Sequence, residues 1–324
     1  MRLHFQSSYN YEVISFLNIL TSDDFYVHSN KDSYDKFYPL LSSGTKDKIN
    51  LLVAGMNRTN IAFLFNLLLA HIPEHDNHSV TESFAKKDII DVIVSEMKQM
   101  PYIPAAVFSN IDLLLKSCIE IVLELEVLGF YEYWRLQCKP SVEEKCREYQ
   151  EFIGAHDFLD LFTQYKSLPS NNIQIYICRF HRPHSTKLTL SGNAMILSDH
   201  YTMETAVMMV AHELFHSPYD NNKALGALKI LKAQPWVLKA FDNQNENCRY
   251  AQMDYFIEEN IVEALGIYIA YSLGVEKNPY EYFRNHDYGS HVISPVFFRY
   301  MLEHPKSREE EFEKYLYDFS CTLR

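Results

Sequence analysis

The sequence predicts a predominantly helical α+β protein, with a helical N-terminal region over residues 1–168 and a second region over residues 169–324 that carries a small sheet. Three observations predict it. Apolar residues recur at intervals of three and four from about Lys46 to Lys166. After SLPSNN, from Ser167 to Asn172, the texture changes to runs rich in β-branched and aromatic residues. Helical patterning then returns at Thr202 and continues, with loops, to the C-terminus, and no internal repeat interrupts it. A length of 324 residues suits two domains of about 150 residues each.

The helical region divides into DKINLLVAGMNRTNIAFLFNLLLAHI, DIIDVIVSEMKQM, NIDLLLKSCIEIVLELEVLGFYEYW and SVEEKCREYQEFIGAHDFLDLFTQY, with Pro101, Pro104 and Pro140 near the breaks. IQIYICRF then has strand composition, and STKLTL followed by NAMILS across Ser-Gly-Asn reads as a hairpin. RFHRPH, with His181 and His184, lacks nearby carboxylates and reads as a surface turn, not a second metal site.

Composition excludes several classes of function. Hydrophobic residues make up 47% and charged residues 22%, with 9 Gly and 12 Pro, which fits a compact chain with a sizeable core. The net charge of −12 would repel polyphosphate, so nucleic acid is not an expected partner. The longest apolar runs, such as Ile61 to Ala70, stop short of the roughly 18 to 20 residues that a membrane span needs. The N-terminal stretch MRLHFQSSYNYEVISFLNIL lacks the apolar core and cleavage site of a signal peptide, which points to a cytoplasmic protein. Cys118, Cys138, Cys146, Cys178, Cys248 and Cys321 form no CxxC pair, so neither a thiolate zinc site nor a disulfide framework is expected.

One string carries chemistry. Within TMETAVMMVAHELFHSPYD stands HELFH, an HExxH sequence formed by His212, Glu213 and His216. Histidines four residues apart on a helix project from one face and can ligate one zinc ion. Glu213 lies beside that face, where its carboxylate can take a proton from a metal-bound water and later return it to the leaving group. Thr202 is placed to cap the helix, Glu204 sits in its first turn and Pro218 follows as a stop. Val207, Val210, Ala211 and Leu214 gather on the opposite side, which anchors the helix.

On these residues the sequence resembles the zincin metallopeptidases, over perhaps the last 150 residues. The metzincin branch would need a glycine and a further ligand where this chain has Tyr219 and Asn222. The gluzincin branch takes its third ligand from a glutamate on a downstream helix, and DYFIEENIVEALGIYIAYSL offers Glu258, Glu259 and Glu263. Glu259 is favoured, because it shares a helical stripe with Glu263, Gly266 and Ala270 whose small residues would admit the HExxH helix. Glu263, one turn on, would then accept a hydrogen bond from a ligand histidine. Forty-two residues separate His216 from Glu259, a wider gap than the thermolysin-like pattern, and NKALGALKILKAQPWVLKAF fills it.

The resemblance implies a zinc-dependent hydrolase acting on a peptide or protein substrate, with Zn2+ on His212, His216 and Glu259 and Glu213 as general base. Tyr288 and His291 of RNHDYGSHVISPVFF are then candidate donors to the oxyanion. NAMILS, just before the metal helix, would be a sheet-edge strand that pairs with an extended substrate. The competing reading is a zincin-fold binding or regulatory module that cleaves nothing.

Overall fold

The computed structural model describes residues 2–55, 64–65, 68–69, 80, 87–98, 110–167, 172–182, 186–188, 194–245 and 250–323. Most of the expected helical run around Ile61 to Ala70, the hairpin turn, His184 and Cys248 lie outside the described residues. The protein is predominantly helical with one small sheet, as expected. No helix among the described residues is long and apolar enough to cross a membrane.

The chain forms two compact units, and both are discontinuous in sequence: Met1–Gln150 with Ser170–His200, and Glu151–Pro169 with Tyr201–Arg324. These units do not follow a single boundary at 168/169. The physical reason lies in the strands. β1 (Arg2–Gln6) is hydrogen-bonded in parallel to β2 (Asn172–Cys178), so the sheet belongs with the N-terminus. The expected surplus of helix at the N-terminus had hidden β1, although RLHFQ alternates and buries Leu3 and Phe5.

In the first unit β1 leads into α1 (Tyr9–Leu20), α2 (Ser43–Gly55), α3 (Lys87–Lys98), α4 (Ile111–Val127) and the start of α5 (Lys139–Ala155). The chain returns as β2, β3 (Thr186–Leu188) and β4 (Ala194–Ser198), in the order β1-β2-β4-β3. β3 and β4 form the antiparallel hairpin that the sequence predicts. β4 is not a sheet edge, however, because β2 lies on one side of it and β3 on the other. The expected substrate-pairing role of NAMILS is thereby corrected, since its backbone groups already serve the ladder.

The core of this unit is aromatic: Phe16, Phe37, Phe130 and Phe180 meet with centroids 4.7 to 5.9 Å apart. Glu12 is wholly buried within it, and accepts the N–H groups of Arg179 and Phe180 at 2.9 Å and the Trp134 indole at 3.2 Å. His181 is not a surface residue; it is buried, with Nδ1 3.1 Å from Ser15 Oγ. The five described cysteines are free thiols.

The second unit contains α6 (Phe158–Thr163), α7 (Met203–Phe215), α8 (Asn221–Lys232), α9 (Pro235–Asp242), α10 (Met253–Ser272), α11 (Pro279–Asn285), α12 (Ser294–Glu303) and α13 (Phe312–Cys321). α7 and α10 pack together at its centre. A Cβ at Gly266 would stand 3.0 Å from the Met208 carbonyl and 3.5 Å from His212 Cβ, so α10 approaches α7 as closely as the small-residue stripe predicts. Phe162 of α6 stacks on Phe215 at 4.3 Å, which is why this short helix belongs here and not with the N-terminal helices.

Candidate metal centre

Local sequence sets the helix that carries HELFH. Thr202 has extended backbone and its Oγ1 accepts the Thr205 N–H at 3.2 Å, which caps α7 as expected. Val207, Val210, Ala211 and Leu214 are all buried. The helix ends sooner than HELFH implies: Phe215 is the last helical residue, and His216 takes extended backbone with ψ 133°. His212 therefore stands inside the helix, whereas His216 stands at its C-terminal cap.

Three side chains nonetheless converge. His212 Nε2 and His216 Nε2 are 3.2 Å apart, Glu259 Oε2 is 3.5 Å from the first, and Glu259 Oε1 is 3.8 Å from the second. Bonds of about 2.0 to 2.1 Å at a tetrahedral metal set neighbouring donors roughly 3.3 Å apart, so the spacing fits. Glu259 is thus the carboxylate beside both Nε2 atoms, and the other two serve the rings from behind. Glu263 Oε2 lies 3.0 Å from His212 Nδ1, and Glu258 Oε1 lies 3.1 Å from His216 Nδ1.

That arrangement fixes the tautomers. An ionised carboxylate only accepts, so each Nδ1 carries a proton, and each Nε2 is left either to hold a second proton or to offer its lone pair to a metal. Two lone pairs and a carboxylate facing one point repel unless a proton or a metal cation lies among them. The electrostatics agree with that demand. Burial opposes a charge on His212, but hydrogen bonds to Glu259 and Glu263 outweigh it and raise its pKa well above the imidazole range. Burial would likewise raise Glu259 and Glu263, yet His212 holds both below the ordinary carboxylate range. Three carboxylates around two imidazoles leave a surplus of negative charge that a divalent cation would balance.

No family model matches the chain, and neither the curated proteins nor the solved structures searched gave a match.

The remaining predicted residues divide. Glu213 is buried on α7 next to His212. His291 is buried too, with Nε2 3.4 Å from the Tyr250 hydroxyl and its ring 6.0 Å from that of His286. Its loop is pinned to α10, because Ile293 N donates to Asn260 Oδ1 at 2.8 Å and Ser294 Oγ donates to the Asn260 carbonyl at 2.7 Å. Tyr288, in the same loop, has φ 57° and is 68% exposed. His286 Nε2 stands 3.7 Å from Glu263 Oε1 and its ring stacks on Tyr282.

Tyr250, the holding role of Glu258 and the anchoring role of Asn260 were not visible in the sequence. The Glu-Glu-Asn run at 258–260 was the available signal, since consecutive helical residues fan out by about 100° and can serve three neighbours. Glu258 also lines a groove of about 730 Å3 with Leu225, Leu228, Lys229, Lys232 and Tyr255; His212, His216 and Glu259 do not line it.

Proposed function

We propose that the chain is a zinc-dependent hydrolase, and within that class a metallopeptidase of gluzincin type. The observation that supports this reading is the convergence of His212 Nε2, His216 Nε2 and a Glu259 carboxylate, with ligand atoms all within 4.8 Å, while both Nδ1 atoms are tied back by Glu263 and Glu258. His212, His216 and Glu259 would hold Zn2+, which supplies Lewis acidity and a bound water acidic enough to react near neutral pH. Glu213, beside His212, would be the base that accepts a proton from the attacking water and passes it to the leaving nitrogen. His291 is the better candidate for stabilising the oxyanion, because it is buried, whereas Tyr288 lies largely in solvent. Peptides and proteins remain the proposed substrates.

The test is elemental analysis of protein purified without added metal, together with cleavage of a broad peptide library with and without chelator. One zinc per chain and chelator-sensitive cleavage are expected. Protein that holds no metal sinks the reading, and protein that holds zinc but cleaves nothing becomes a non-catalytic binding module.

A further inference from the structure

The second histidine of the cluster lies past the end of its helix, and a single ammonium occupies that end. Lys166 Nζ donates to three consecutive carbonyls: Leu214 O at 3.0 Å, Phe215 O at 3.0 Å and His216 O at 2.8 Å. An ammonium has three protons to give, and all three directions are used. The carbonyls at a helix C-terminus carry partial negative charge and lack intrahelical donors, so a cation there makes charge-assisted bonds. The cation comes from 48 to 50 residues upstream, not from the helix's own last turn.

Its own backbone is braced. Lys166 N donates to the Phe162 carbonyl at 3.2 Å, and Lys306 Nζ donates to the Gln164 carbonyl at 2.7 Å. Tyr165 packs against Phe215, Tyr268 and Phe312. The segment from α6 to Lys166 is therefore a fixed platform against which the end of α7 is held.

We infer that Lys166 is a positioning residue for the metal centre: its ammonium fixes the backbone of His216 and so keeps His216 Nε2 at metal-binding distance from His212 Nε2. The inference rests on the proposed metal site. Side-chain hydrogen bonds fix the imidazole's rotation through Glu258, but only a contact on the His216 backbone fixes where the ring starts. His212 lies within the helix, whereas the carbonyl of His216, at its C-terminus, is held by Lys166.

The measurement is the affinity for Zn2+, by competition with a chromophoric chelator, and the visible absorption of the Co2+-loaded full chain, which reports ligand geometry. Lys166→Met keeps the aliphatic stem and removes the ammonium. It is expected to weaken zinc binding by about 10- to 100-fold and to change the Co2+ spectrum, as loss of an outer contact to a metal ligand does. Lys166→Arg, which keeps a charged donor, is expected to recover most of both. Thr202→Ala is the control, because it removes the cap from the other end of the same helix; it should lower the melting temperature and leave spectrum and affinity unchanged.

If Lys166→Met binds zinc like the wild type with the same Co2+ spectrum, the inference is overturned, whatever its melting temperature. It is equally overturned if Thr202→Ala shifts affinity and spectrum in proportion to lost stability, for Lys166 would then be one stabilising contact among others. If Lys166→Met does not fold, Lys166→Gln, a neutral donor with a shorter reach, is read in the same two assays with the same expected direction, and wild-type values there overturn the inference. A wild type that binds neither Zn2+ nor Co2+ would instead sink the metal reading itself.

Discussion

A metal site that only braces a fold has no use for a carboxylate beside its first ligand, so Glu213 is the residue that separates catalysis from binding. Glu213→Gln is nearly isosteric and removes no ligand; zinc content should stay near that of the wild type while peptide hydrolysis falls by on the order of 10² to 10⁴. His212→Ala should lose both, and equal hydrolysis by wild type and Glu213→Gln would assign the activity to another site. Glu12 offers a second single-residue test, in the other unit. Burial pushes its carboxyl from the ordinary 4.5 up to about 7, against the hydrogen bonds from Phe180 and Arg179 that pull it down. The folded chain then keeps a proton that the unfolded chain releases, so the Glu12 contribution to stability is full below about pH 4.5 and is lost as pH rises through about 7. Glu12→Gln turns an N–H group toward donors that need an acceptor, at a cost of about 1 to 3 kcal/mol. Its melting-temperature deficit against wild type should therefore be largest at the acid end and shrink across that window; a deficit independent of pH would show that Glu12 does not titrate there. HELFH was legible because five adjacent letters carry the whole motif. Lys166 was not, because nothing in a sequence marks a lysine as the cap of a helix dozens of residues later.

Gly266 is where two elements decide the site together. Its missing side chain lets α10 lie against the Met208 carbonyl and His212, and the same two helices carry His212 on one side and Glu259 on the other. Gly266→Ala would place a methyl group 3.0 Å from backbone, which cannot swing aside as a side chain can. The helices must part by a few tenths of an ångström, at about 1 to 3 kcal/mol as for other overpacked cores. Because His212 and Glu259, the proposed ligands, ride on those helices, zinc affinity should fall along with melting temperature, whereas Gly44→Ala, with open space around it, should change neither. Unchanged zinc affinity in Gly266→Ala would show that the ligand pair tolerates a wider helix spacing. This close approach was legible from the stripe of Glu259, Glu263, Gly266 and Ala270, since a helix repeats its face in the sequence. The sheet was less legible. A five-residue strand such as β1 offers two buried letters, Leu3 and Phe5, and whether β4 is an edge or an interior strand depends on a partner 20 or more residues away. Strand composition records burial, not neighbours.

At the scale of the whole chain, the two units interleave in sequence: 170–200 returns to the N-terminal sheet, while 151–169 joins the C-terminal helices. A change of texture near Ser167 marks where strands begin, not where a compact unit ends, and only long-range pairing such as β1 with β2 or Phe162 with Phe215 shows the difference. The division has a measurable consequence. His212, His216, Glu258, Glu259 and Glu263 all belong to the second unit, so a metal bound there stabilises that unit by mass action and leaves the first without a direct gain. With free metal at 1,000 times its dissociation constant the gain is about 4 kcal/mol, which for a unit of this size raises its midpoint by on the order of 10 °C. Hydrogen exchange followed by peptide mass analysis, with and without chelator, reads the units separately. Chelation should speed exchange in α7, α10 and the segment around Lys166, and leave β1, β2, β4 and α1 unchanged. His212→Ala should exchange in the second unit like chelated wild type and respond to chelator no further. If chelator speeds exchange equally in both units, they do not gain stability separately; if it changes neither, no metal is held by these residues.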